Sequence, residues 1–366
     1  MICAYPYNPP QFLQNGVVMT AYVALWGSVY WQSTLADPEP PYEKKIFTGA
    51  QGVPIFSWVA IPENAHSTIV GTYGITGDLE QEWYLQLLGR KAYALGYAVV
   101  LFDWRAHGKT AELSPTLTSD GLYEGEDFVH IAAGAADVGC PRRFWFTGFS
   151  LGGQLALWGL KAAGDLIRGN EYLGLKAGDI VGGAVICPSL DSERSLKYVV
   201  TRPFGRYVEA GLTRKLKQLA WKIHDTHQGS LDPASIAKAN SIWGFDHELV
   251  IGKLGFPSVE AYYAASSALN LLPEISKPTL IIYAADDPLF HPGIIPDLTA
   301  ACASNPVIDL LLTPHGGHVG YLSSKKCQQQ AQDPDCWWAW NRVLQWLENH
   351  HSGVGSQNPV IPPVLP

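Results

Sequence analysis

Three residue types that together make an activated nucleophile stand in this chain where strand-like runs end. Gly148-Phe149-Ser150-Leu151-Gly152 reads G-x-S-x-G, between an aromatic-rich strand-like run and a helix-like one. Small residues on either side let the backbone turn sharply from strand to helix, so that Ser150 presents its hydroxyl above a sheet. A serine hydroxyl is a weak nucleophile until a base takes its proton, and the base needs an acid to orient it. Both follow, in the order Ser, Asp, His that such a turn requires. Asp286-Asp287-Pro288 comes after the apolar run at 279–283 (TLIIY), and His315-Gly316-Gly317-His318 after the run at 307–312 (VIDLLL).

Position selects one member of each pair. Asp287 precedes Pro288 and lies further from the strand end, so it is read as the acid and Asp286 as a turn or capping residue. His318 follows two flexible glycines that let a loop carry the imidazole over Ser150, so it is read as the base. His315, after Pro314, is read as a loop-packing residue, and His107 and His291 as structural. Charge developing on an attacked carbonyl oxygen needs backbone donors. The N–H of Leu151, first in the helix and backed by its dipole, is one candidate. The N–H of Ile75, in Gly74-Ile75-Thr76-Gly77, is the other. Arg105 is read as pairing with Asp103 to hold the neighbouring loop together. This chemistry needs no metal and no organic cofactor.

The elements that must position these groups are legible as short apolar runs alternating with helical periodicity. Strand candidates lie at 68–73, 97–102, 180–187, 279–283 and 307–312, with a hairpin at 44–62 before them. Helical segments lie at 79–95, 125–136 and 151–166. A last helix is expected to start with Asp333 as N-cap and Pro334 at its first position, presenting Trp337, Trp340, Leu344 and Leu347 on one face. The alternation predicts an α/β fold: a mostly parallel central sheet with helices on both faces. Between Pro188 and Leu272 the strand rhythm stops, which predicts a helical cap over the strand ends where ligands of open α/β sheets bind. The expected organisation is an N-terminal segment and hairpin (1–66), a core (67–189 and 271–351), a cap (190–270) and a disordered tail (352–366).

Composition bounds the partners. With 366 residues, 47% hydrophobic and 16% charged, the chain is globular and rather apolar, and 13 tryptophans imply a large interior or an apolar pocket. A net charge of −8 argues against nucleic acid as a partner. Six cysteines show no C-x-x-C and no histidine at metal spacing, so they are read as buried thiols in a reducing compartment. Cys327 and Cys336 are close enough in sequence to bond. The start lacks a basic n-region and a small-residue cleavage site. Gly16–Trp31 is the most membrane-like run but is shorter than the roughly 20 apolar residues of a spanning helix. It is read as a packed or interfacial segment of a cytoplasmic protein, with peripheral membrane contact as the alternative. The basic stretch 197–222 is read as a solvated helical face, with an approach surface for an anionic substrate or membrane as the alternative.

These residues resemble the YheT-like branch of the α/β-hydrolase superfamily over about 9–318. The resemblance is carried by Pro9-Pro10 with Leu13, Asn15 and Thr20, by Gly74-Ile75-Thr76-Gly77, and by Asp103-Trp104-Arg105-Ala106-His107-Gly108. Gly148-Phe149-Ser150-Leu151-Gly152-Gly153, Phe245-Asp246, Gly255-Phe256, Tyr262-Tyr263, Ser266 and Pro278-Thr279-Leu280 extend it. Asp286-Asp287-Pro288 and Gly316-Gly317-His318 complete it. It implies Ser150, Asp287 and His318 as a triad, a helical cap, and esterase or acyltransferase activity on acyl esters, sometimes lipids. Three departures bear on substrate preference: the family's His-Gly is Tyr73-Gly74, its Arg-Gly is Arg105-Ala106, and its N-terminal histidine is Val17. The expectation is a serine hydrolase acting on a small-molecule or lipid ester with a hydrophobic acyl group. Its rivals are an acyltransferase with the same triad and a non-catalytic binding protein on this scaffold.

Overall fold

A computed structural model of the chain describes residues 7–167 and 171–351. The expected tail at 352–366 lies outside the described residues. The strands are β1 (Glu43–Thr48), β2 (Pro54–Ala60), β3 (Ser67–Thr72), β4 (Tyr97–Phe102), β5 (Phe144–Phe149), β6 (Ile180–Ile186), β7 (Thr279–Ala284) and β8 (Ile308–Thr313). They form one sheet in the order β1-β2-β4-β3-β5-β6-β7-β8. The β1–β2 hairpin joins β4 antiparallel; every pairing from β4 to β8 is parallel. Every residue of β3, β4, β5 and β7 is buried. Successive side chains point to opposite faces, so both faces of the sheet centre are covered, which is why these strands read as unbroken apolar runs.

The helices used below are α1 (Gly16–Tyr22), α2 (Trp83–Ala94), α3 (Glu124–Asp137), α4 (Leu151–Leu166), α5 (Ser192–Val199), α6 (Pro203–Thr226), α7 (Val259–Ser266) and α8 (Trp338–His351). Between β6 and β7 the described chain is helical, and its apolar residues gather a second core around Leu216, Ile223, Phe245, Val250 and Tyr262. Ala106, Ala111 and Leu117 join that core from beneath, so the insertion is seated on the loops that follow β4. Helix α1 continues through a π-turn (Val23–Gly27) and a short turn, Ser28–Tyr30. It buries Met19 and Val23 while leaving Val18, Leu25 and Val29 exposed. No helix among the described residues is long and apolar enough to cross a membrane.

Two local expectations need correction. Arg105 pairs with Asp127, not Asp103: Nε lies 2.7 Å from Oδ2 and Nη2 2.9 Å from Oδ1, a two-pronged contact sealed from solvent. Asp103 is already engaged by the Tyr73 hydroxyl at 2.6 Å and the N–H groups of Leu79 and Lys109 at 3.0 and 2.7 Å. The last helix starts at Trp338, five residues after the expected cap. Asp333 is drawn to the buried guanidinium of Arg342, and Trp337 sits before the helix in a bridge to Leu322. Cys336 is a free thiol and so is not bonded to Cys327.

Candidate active site

Strand β5 ends at Phe149 and α4 begins at Leu151, so Ser150 alone makes the turn, at φ 54° and ψ −124°. That conformation is costly for a residue with a Cβ and persists only when its surroundings enforce it. Here Ser150 N–H donates to Ile186 O at 3.1 Å, and its carbonyl accepts from Gly153 at 3.0 Å and Ser189 at 3.0 Å. The flanking glycines are required by space. A Cβ at 148 would stand 2.0 Å from the carbonyl oxygen of Gly152, and one at 152 would stand 2.3 Å from that of Tyr73.

The imidazole of His318 lies between Ser150 and Asp287. Its Nε2 is 3.0 Å from Ser150 Oγ and its Nδ1 2.7 Å from Asp287 Oδ2. A proton on Nδ1 donated to the carboxylate leaves Nε2 free to accept one. The other carboxylate oxygen of Asp287 accepts the N–H of Leu289 at 2.9 Å, and the Phe290 ring and the imidazole meet in a T-shaped contact, 5.0 Å between centroids. The remaining members of the two pairs stand apart from this line. Asp286 Oδ1 accepts the N–H of Gly317 at 2.9 Å, while His315 Nδ1 faces Asp286 Oδ2 at 3.5 Å. Burial raises the Asp286 pKa, against the lowering effect of that N–H. Gly316 and Gly317 adopt φ 152° and 56°, the left-handed turn that swings His318 inward.

The loop after β3 is anchored on both sides of Ile75. Gly74 N–H donates to Tyr84 Oη at 3.1 Å and Thr76 N–H to His107 Nε2 at 3.0 Å. His107 can accept because its Nδ1 faces the Arg105 carbonyl at 3.0 Å, and burial pushes its pKa down to about 4, so it stays neutral. The N–H groups of Ile75 and Leu151 have no protein acceptor among the described residues. Leu151 lacks one because it is the first residue of its helix. The sequence reads His107 as structural without naming its partner, and gives no sign of the anchoring by Tyr84. Their signal, an aromatic hydroxyl and a neutral histidine at distant positions, becomes visible only when the strands align.

Ser150, His318, Ile75 and Leu151 open on one cavity of about 350 Å³. Apolar groups from four places line it: Val23 after α1, Trp83 on α2, Leu216 on α6 and Phe290 beside His318. Its polar minority includes Glu82, Asp120 and Asp246. Burial pushes the Glu82 carboxyl up to about 7. Asp120 rises likewise to about 7, through burial and the neighbouring Glu124. Asp246 is hydrogen-bonded by the Tyr263 hydroxyl. One trio, Cys187, Asp287 and His318, has ligand atoms within 4.8 Å of one another. Burial holds the Cys187 thiol protonated, and both His318 nitrogens already face protein partners, so the trio is poorly suited to a cation.

Residues 74–327 match the model of the alpha/beta hydrolase family. The protein named “Putative esterase slr0264” of Synechocystis sp. is 52% identical over 351 residues, covering 94% of this chain and 95% of its own length. “Phospholipase ABHD3” of Mus musculus is 27% identical over 85% of this chain and 76% of its own. The protein named “Putative esterase YheT” of Escherichia coli is 29% identical over 56% of this chain and 54% of its own. Sheet order, elbow geometry and these similarities agree: the chain belongs to the alpha/beta hydrolase family.

Proposed function

We propose that the protein is a serine hydrolase that cleaves a carboxylic ester through an acyl-enzyme on Ser150. The observation that carries this is the continuous line of contacts from Ser150 Oγ through His318 to Asp287, at 3.0 and 2.7 Å. Ser150 attacks the acyl carbonyl as its proton passes to His318 Nε2, and Asp287 supports the resulting imidazolium. The N–H groups of Ile75 and Leu151 receive the oxyanion. The proton on His318 then leaves with the alcohol, and a water deprotonated by the same nitrogen releases the acid. An alcohol taking the place of that water would make the product a new ester.

The apolar lining favours a hydrophobic acyl group, and the name of the mouse relative is consistent with a lipid ester. We place this work in the cytoplasm, with membrane contact optional. The test is fluorophosphonate labelling of wild type and Ser150→Ala, followed by rates on p-nitrophenyl esters of increasing chain length. Labelling confined to wild type and rates that rise beyond acetate are expected. Equal labelling of both would overturn the nucleophile assignment, and rates falling steadily from acetate would overturn the hydrophobic preference.

A further inference from the structure

The histidine loop is fastened by a helix made almost 300 residues earlier in the chain. Thr20, on α1, donates its hydroxyl proton to the carbonyl of Gly16 at 2.7 Å, the usual back-bond of a helical threonine. Its single proton is thereby committed, so Oγ1 meets the N–H of His318, 2.8 Å away, as an acceptor. Two close approaches press the helix onto the same loop. A Cβ at Gly317 would lie 2.6 Å from Gly16 O and 2.7 Å from Thr20 Oγ1, and one at Gly16 would lie 1.8 Å from the carbonyl oxygen of Asp286. Asp286 closes the circuit by accepting the N–H of Gly317. Consecutive amides at 317 and 318 are therefore held by two different side chains. Val319, at φ 56°, fixes the exit of the turn.

We propose that Thr20 is a positioning residue: it holds the main chain of His318 so that Nε2 reaches Ser150 while Nδ1 stays on Asp287. This rests on the Ser150–His318–Asp287 reading above. The contact is polar rather than a matter of packing. Valine at position 20 matches threonine in shape but offers no acceptor, leaving a part-buried N–H unpaired. A displacement of about 1 Å in a reacting group costs on the order of a hundredfold in rate.

The test compares Thr20→Val and Thr20→Ser with wild type and Ser150→Ala. Labelling rate with a fluorophosphonate and kcat and KM on a p-nitrophenyl ester are read for each, with folding checked by circular dichroism. In Thr20→Val, kcat and labelling rate are expected to fall together by about 10- to 100-fold with KM within about twofold. Thr20→Ser, which keeps the acceptor, is expected to stay near wild type. Thr20→Ala removes the acceptor without added bulk and takes the place of the valine variant should that one not fold. Wild-type rates without the acceptor, or an equal fall in the serine variant, would overturn the assignment while leaving the nucleophile intact. Wild-type labelling that survives Ser150→Ala would overturn the nucleophile reading, and this proposal with it.

Discussion

Replacing Asp287 by asparagine removes one charge and almost no volume. On the proposed mechanism His318 takes the Ser150 proton, and its positive charge then lies beside that carboxylate, with Nδ1 2.7 Å from Oδ2. At an effective dielectric of about 20, a charge pair at this separation is worth about 6 kcal/mol. The imidazole is 13% exposed and the carboxylate 2%, so water screens little of it. About 6 kcal/mol corresponds to about four decades in rate. Tautomerism acts in the same direction. Leu289 N–H keeps the amide oxygen of an asparagine on its own side, turning the NH₂ toward His318 Nδ1. Nδ1 must then accept, and the proton moves to Nε2, where it blocks transfer from serine. Asp287→Asn is expected to lower kcat about 10⁴-fold at pH 7 with KM little changed, measured as initial rates on a p-nitrophenyl ester. Asp286→Asn is the control: its oxygen can still accept the N–H of Gly317, and a change under about fivefold is expected. A loss below tenfold in Asp287→Asn, or a larger one in Asp286→Asn, would refute the assignment of the acid.

Other consequences concern stability. Gly152→Ala places a methyl 2.3 Å from a backbone oxygen, and a loss of about 3 kcal/mol by denaturant titration is expected; unchanged stability would mean the elbow has slack. Arg105→Met strands the buried carboxylate of Asp127 and should cost about 3–5 kcal/mol, part of it recovered in Arg105→Met with Asp127→Leu, which still leaves the Ala50 N–H without its acceptor. No recovery in the double variant would point to lost packing instead. Asp120 shifts from 3.8 to about 7 on folding, so its native state binds a proton that the unfolded state releases. Its contribution is full below about pH 4 and disappears as pH climbs toward 7. The melting temperature of wild type relative to Asp120→Asn should therefore fall over that interval, and a constant difference would show that Asp120 does not titrate there.

Much of the geometry of the candidate site was readable because its groups stand directly after strands. In a parallel sheet, consecutive strand ends converge on one edge, so Ser150, Asp287 and His318 had to meet if β5, β7 and β8 were parallel neighbours or nearly so. What escaped were partners chosen by three-dimensional competition. Asp103 is nearer to Arg105 in sequence than Asp127 is, yet Tyr73 and two amides had already claimed it. Asp333-Pro334 has the local chemistry of a helix start, but neutralising a buried Arg342 outweighs one capping bond. The local bond of the Thr20 hydroxyl to Gly16 gives no hint of its second partner, the His318 N–H 298 residues away.

That distance also sets when reactivity can arise during synthesis. Tyr7 Oη donates to Leu322 O, Trp337 Nε1 to Thr34 Oγ1, and His318 N–H to Thr20 Oγ1, joining early residues to late ones. A growing chain on the ribosome reaches Ser150, and then the Ile186 and Ser189 that hold its turn, well before His318 is translated. The early helix meanwhile has nothing to fasten. The line of contacts from Ser150 through His318 to Asp287 can form only once the chain has been made as far as His318, and joining such distant residues costs loop-closure entropy.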